Sequence, residues 1–514
     1  MTRLPAMLLS GWLLAACATG ATGRGAAEPA HDIAIVNARI IDGSGAPAYV
    51  GDVYIRDGRF ADIRRGSGPA LPAHRVVDAA GRVLAPGFID LHAHGDPLRQ
   101  SFENFAAMGV TTVVLGQDGS NPSAGPLREW IGALDERGSL TNVAALVGHG
   151  ALRRAAGIAD DTTDLSAAER ERMVAVLEEW FGLGIHGVSS GLEYVPGISA
   201  QPAELRLLGE TVRAHGGILM SHLRSEDDDR LEQAIAEFVA YDPKARLHIS
   251  HLKVVYGRGA ERARNLLATL QSYRDAGVEL TADIYPYLAS HTWIGIVFPP
   301  WALPPVDYAT VVEQRGEELR AWLRERVTRR GGPDAILFGT EPYSGKTLTE
   351  VAREQGVDYI EALVAMGPRG GSAAHFTMDA ALQDVLVTSP LTALASDGGP
   401  SMRHPRGYGS FARLIEHHVV ATGQLGLEDA VHKASGMPAA ILELGDRGLI
   451  RIGNHADAVV FDPARVRETA TYVEPFGLAE GFDLVLVNGR IAREGGEVRD
   501  ERAGKLIRRM GSTP

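Results

Sequence analysis

Between Val83 and about Leu444 the chain alternates short apolar runs with stretches of helical periodicity. The apolar runs are 111–116 (TTVVLG), 142–148 (NVAALVG), 186–192, 217–222 (GILMSH), 246–251 (RLHISH), 279–285 (ELTADIY) and 391–397 (LTALASD). The run that ends in His92-Ala93-His94 adds one more and makes eight strands. A helix between them opens with a capping box, Ser166 with Glu169, and continues with Met173, Val176, Leu177, Trp180 and Phe181 at helical spacing. Eight strand-helix units predict a (β/α)8 TIM barrel over residues 85–445, with its chemistry at the C-terminal ends of the strands. The rhythm breaks between Tyr287 and Pro390, so an excursion over 288–389 is expected to form a lid. Ile33–Asp42, Gly51–Ile63 and Ala456–Asp462 read as further strands, and Val36-Asn37-Ala38-Arg39-Ile40 is echoed by Val487-Asn488-Gly489-Arg490-Ile491. The two chain ends, 31–84 and 446–500, are therefore expected to pair in one small β-sandwich domain.

The formal charge of -13, with no dense basic run, argues against a nucleic-acid partner. Arg3 followed by apolar Leu8–Ala16 reads as a secretory signal too short to span a bilayer. It ends in Leu14-Ala15-Ala16-Cys17, which resembles a bacterial lipobox. The expectation is a lipoprotein-type signal over 1–17, a tether over 18–30, and an exported, periplasmic-side protein that meets the membrane only through a lipid anchor on Cys17. Cys17 is the single cysteine, so the globular part has no disulfide and no thiolate for a metal.

The strand ends carry the candidate chemistry. They place His92 and His94 on the first strand, Asp118 on the second, His149 on the third, Glu193 on the fourth, His222 on the fifth, His251 on the sixth, Tyr285 and Tyr287 on the seventh and Asp397 on the eighth. Alternate strand residues share a face, so one ion can be gripped by both imidazoles of His-x-His. Imidazole and carboxylate sets of this kind bind one or two zinc-like ions, polarise a carbonyl and acidify water.

His-x-His on strand one, single histidines on strands five and six and an aspartate on strand eight, flanked by a β-domain from both termini, resemble the amidohydrolase superfamily. Ser189-Ser190-Gly191-Leu192-Glu193-Tyr194, Ser221-His222-Leu223-Arg224-Ser225-Glu226, His251-Leu252-Lys253, Asp283-Ile284-Tyr285-Pro286-Tyr287 and His404-Pro405-Arg406-Gly407-Tyr408-Gly409 resemble the N-acyl-D-amino-acid deacylases within it. The resemblance implies zinc-dependent hydrolysis of a small N-acyl-D-amino acid to a carboxylic acid and a D-amino acid. Asp397 would be the catalytic base and then acid, while Lys253 and Tyr285 hold the substrate carboxylate. Arg224, Arg406 and His149 are further substrate-binding candidates, and an acid such as Glu226 is the alternative partner for the arginines.

One departure stands out. Many of the deacylases it resembles carry a cysteine ligand on strand two, in an Asn-Cys-Gly setting, where this chain has Gly116-Gln117-Asp118-Gly119. Either Asp118 replaces the thiolate or Glu193 bridges two ions. The favoured arrangement is two zinc ions bridged by Glu193, with His92, His94 and Asp397 on one and His222 and His251 on the other, and with Asp118 orienting a ligand. A different amidohydrolase reaction, on cyclic amides of hydantoin type or on dipeptides, is the alternative activity, and a non-catalytic binding protein on the same barrel is the alternative class.

Overall fold

A computed structural model describes residues 31–66 and 68–509. The expected signal, tether and Cys17 anchor lie outside the described residues. The eight barrel strands are Phe88–Asp90, Val110–Leu115, Asn142–Gly148, Gly187–Gly191, Ile218–His222, Arg246–Ile249, Leu280–Ile284 and Thr392–Leu394. Each pairs in parallel with the next. The ring closes through a parallel bridge between Ala93 and Gly398, just past the ends of the first and last strands. A side chain at 398 is impossible there, because its Cβ would lie 2.3 Å from the Gly407 Cα.

The near-continuous apolar strands follow from burial on both faces. Ile89, Leu91, Val114, Leu146, Met220 and Ala393 fill the interior, closed below by Ile441, Leu442 and Leu444. The opposite strand faces pack on the surrounding helices. Ser166 does cap helix Ala167–Phe181 in a complete capping box, and Met173, Leu177 and Phe181 are its buried stripe.

Both chain ends share one nine-stranded sheet, in which strand Val83–Pro86 pairs with His31–Ile40 on one side and Ala458–Phe461 on the other. Its interior joins Ile33, Ile35, Val53 and Phe60 to Val460 and Leu484. The repeated Val-Asn-x-Arg-Ile sequence plays two different parts. Asn37 lies at an irregularity inside a strand, whereas Asn488-Gly489 turns the hairpin between Phe482–Val487 and Arg490–Glu494. What they share is a left-handed asparagine, with φ of 55° and 50°.

The excursion after the seventh strand has its own core, built on Ile294, Phe298, Leu319, Leu323, Phe338 and Leu363. It holds a three-stranded antiparallel sheet and the long helix Tyr308–Arg329. Its last helix, Ala380–Thr388, packs on the barrel helix Gly259–Asp275 and so belongs to the barrel. No helix among the described residues is long and apolar enough to cross a membrane.

Candidate active site

At the barrel mouth the chain turns sharply. Asp118, His251 and Asp397 have left-handed backbones, with φ of 53°, 36° and 50°. Each costs about 1–3 kcal/mol in a non-glycine residue, and such strain persists only where the surroundings enforce it. Here the enforcement is visible: the Asp397 N–H donates to the His92 carbonyl at 2.8 Å, and the His251 N–H donates to Asp283 Oδ1 at 2.7 Å.

The turns bring ligand atoms together. His92 Nε2 lies 3.4 Å from Asp118 Oδ1 and 3.6 Å from Asp397 Oδ1. His94 Nε2 is 3.1 Å from Asp397 Oδ1 and 3.6 Å from Asp118 Oδ2. On the other side, His251 Nε2 is 3.3 Å from Asp118 Oδ1 and 3.0 Å from His222 Nδ1. Asp118 therefore stands between the two histidine pairs. This corrects the expectation that Glu193 bridges: among these ligands its carboxylate meets only His222, Oε2 lying 3.2 Å from Nε2. The left-handed turn aims the shorter Asp118 side chain into the cluster, where arm length alone had favoured the glutamate.

These groups fit a metal. Two imidazole nitrogens 3.0 Å apart repel unless a proton or a cation lies between them. Both ring nitrogens of buried His92 lack a hydrogen-bond partner among the described residues. Burial and Lys253 oppose charge on His251, yet Asp397, Asp118 and Glu226 prevail and push its pKa up to about 10. A site that pulls a proton this strongly onto an imidazole is one that accepts a cation. His92, His94, Asp118, His222, His251 and Asp397 would hold one or two ions, with nitrogen and oxygen donors only.

Neighbouring groups fix the cluster. Burial opposes ionisation of Asp397, but Arg406, whose Nη1 is 2.8 Å from Oδ2, and the imidazoles hold it well below the usual carboxylate range. Glu226, expected from the sequence only as a partner for Arg224 or Arg406, accepts from Lys253 Nζ at 2.6 Å and lies 3.1 Å from His251 Nδ1. Asp283, quoted in a motif but given no role, accepts from His251 N–H and bonds His248 Nε2 at 2.8 Å. Its signal was an aspartate two residues before Tyr285, on the inner side of the same strand.

Lys253 and Arg406 line the cavity with the cluster, and Tyr285 lies behind Arg406, whose guanidinium sits 4.8 Å from the ring centroid. Two other substrate candidates are corrected. Arg224 is consumed by both oxygens of Glu237, at 2.9 Å each, and by the Ile198 and Ala200 carbonyls. His149 is fully buried as the first residue of helix His149–Ala155, with Nε2 2.8 Å from Glu204, which Arg153 also binds. Both partners come from helices that no local spacing connects to these residues.

The cavity above the cluster has a volume of about 890 Å³. Its floor is polar, whereas Trp293, Ile296, Leu303 and Pro304 of the excursion form an apolar wall. Such a shape suits a small molecule with one anchored polar end.

A sequence model of the amidohydrolase family matches residues 75–331. The N-acyl-D-aspartate deacylase of Alcaligenes xylosoxydans xylosoxydans is 33% identical, over 93% of this chain and 95% of its own. Among solved structures, the N-acyl-D-glutamate deacylase of Bordetella bronchiseptica, complexed with zinc and a phosphonate mimic of the tetrahedral intermediate, superposes with a TM-score of 0.80 at 32% identity. It covers 93% of this chain and 99% of its own. A D-aminoacylase studied for its binuclear metal centre gives 0.79 at 29% identity, covering 93% of this chain and 100% of its own.

Proposed function

Because the chain belongs to the amidohydrolase family, in its N-acyl-D-amino-acid deacylase branch, we propose that it hydrolyses the amide of N-acyl-D-amino acids at the barrel mouth, using zinc held by the six histidines and aspartates there. The observation that carries this reading is the convergence of His92, Asp118, His251 and Asp397, whose ligand atoms all lie within 4.8 Å of one another. When bound, zinc supplies Lewis acidity toward the scissile carbonyl.

The chain's own groups do the rest. Asp397, kept ionised by Arg406 and the imidazoles, takes a proton from the attacking water and returns it to the leaving nitrogen. Lys253 retains donor capacity beyond its bond to Glu226, and the Tyr285 hydroxyl has no partner among the described residues. Lys253, which lines the cavity, holds the substrate carboxylate, with Tyr285 supporting the site from behind Arg406. Arg406 is already bound to Asp397 and acts on the base instead.

A carboxylate anchor, a fixed acyl group and a side-chain pocket make three points of attachment, which select one hand at the α-carbon. Paired kinetics on N-acetyl-D- and N-acetyl-L-amino acids test this, with kcat/KM expected to favour the D-series by at least about 100-fold. Equal values would refute selection of one hand, and turnover of hydantoins alone would replace the reading with cyclic-amide hydrolysis. The amino-terminal sequence supports export with lipidation at Cys17. Radiolabelled palmitate should enter the wild-type protein and not Cys17→Ala, and equal labelling would refute the anchor.

A further inference from the structure

We propose that Arg326, on the long helix of the excursion, is a positioning residue for the metal ligand His222, acting through Glu193. The inference rests on the metal-dependent reading above and extends the metal centre into the excursion.

His222 turns Nδ1 toward His251 Nε2 at 3.0 Å, and with Nδ1 given to a metal Nε2 would carry the proton and donate to Glu193 Oε2, 3.2 Å away. A carboxylate behind a ligand imidazole fixes its tautomer and ring angle and raises its basicity. The other oxygen of Glu193, Oε1, faces Arg326 Nη2 at 3.9 Å. Arg326 Nη1 binds Asp227 Oδ2, and Arg330, about one helical turn later, approaches Asp227 Oδ1 at 3.6 Å. Asp227 follows Glu226, which stands at the far nitrogen of His251. Each imidazole of this pair thus has a carboxylate behind it, and one arginine of the excursion ties both carboxylate-bearing segments.

The arginine is not a surface decoration. Its side chain is largely buried, and burial, which opposes its charge, is outweighed by Asp227 and Glu193. Removing it leaves half-buried Glu193 without its neighbouring guanidinium and Asp227 with Arg330 alone, which frees Glu193 to swing and His222 with it. The excursion is therefore more than a wall of the cavity, because docking its helix completes the setting of a metal ligand.

Zinc release to a chromogenic chelator, followed without substrate, tests this independently of the reaction the enzyme performs. Arg326→Ala should release zinc about 10-fold faster than wild type, in at least one kinetic phase, and Glu193→Gln should behave likewise. Arg326→Lys, which keeps the charge, should restore most of the retention. Arg329→Ala is the control: it cuts a different tie of the same helix, a 2.7 Å ion pair to Asp229, and should release zinc at the wild-type rate. Wild-type release from Arg326→Ala or Glu193→Gln would overturn the proposal. So would equal acceleration in Arg326→Ala and Arg329→Ala, which would mean general loosening of the excursion.

Discussion

Two buried polar networks sit at opposite ends of the barrel, and they are built by different rules. At the floor, Asn142 on the third strand donates to Asp457 Oδ2 at 3.1 Å and accepts from Asn488 Nδ2 at 2.7 Å. Asp457 also accepts the Asn488 N–H and is bound by Arg447, which donates to Asn488 Oδ1 as well. Of these four residues none has an unpartnered buried side-chain atom. At the mouth, both His92 nitrogens, the Tyr285 hydroxyl and Arg406 Nε lack hydrogen-bond partners among the described residues, and three ligand residues are in the left-handed region. Burial of polar groups alone does not mark function. Unmet valence does, because a network that only holds the fold together closes on itself, whereas left-handed backbone occurs at both ends, at Asn488 as well as at the ligands.

The largest test of that contrast is at the mouth. Asp397→Asn keeps the side-chain shape and an oxygen for Arg406 but cannot accept the proton, so kcat per folded molecule should fall by about 10²–10⁴. A variant keeping more than about a tenth of wild-type kcat would remove Asp397 as the base. Asp457→Ala should do the reverse. Stranding buried Arg447 and Asn142 costs about 3–5 kcal/mol of stability, read from denaturant unfolding, while kcat per folded molecule changes little. A large kcat loss without destabilisation would make the floor a functional site after all.

The smallest effect is one of pH. His186, buried near the floor, bonds the Ile507 carbonyl at 3.0 Å, and burial pushes its pKa down to about 4 from an ordinary 6.5. Between those values the unfolded chain takes up a proton that the folded chain refuses, so stability is present above about 6.5 and is lost as pH falls toward 4. His186→Gln keeps a donor without the titration. The drop in unfolding midpoint between pH 7 and pH 4.5 should be smaller in this variant than in wild type, and equal drops would place the acid sensitivity elsewhere.

The mouth was legible in the sequence because strand ends are local: an apolar run followed by His or Asp announces both the strand and the ligand, and all eight strands appear where such runs predict them. What could not be read was direction. Asp118 and Glu193 both follow strands, and only the left-handed turn at 118 decides which one enters the cluster. His149 and Arg224 look as available as His222 until Glu204 and Glu237 arrive from neighbouring helices to occupy them. The echo of Val36–Ile40 in Val487–Ile491 was read as similar strands. It records instead the same backbone requirement at two asparagines in different settings, one of which, Asn488, belongs to the floor network.

The bridge from Ala93 to Gly398 has a consequence for how the protein comes to life. The residues flanking that bridge are His92, His94 and Asp397, so the seam that closes the ring is made of the same peptides that carry the base and the first two ligands. Those segments lie far apart in the chain, and contacts of such long range are costly to form early in folding. A partly wound barrel can own every helix and most of its sheet and still be chemically inert. Recovery of turnover after dilution from denaturant therefore requires the meeting of the first and last strands, and should lag behind the return of helical signal.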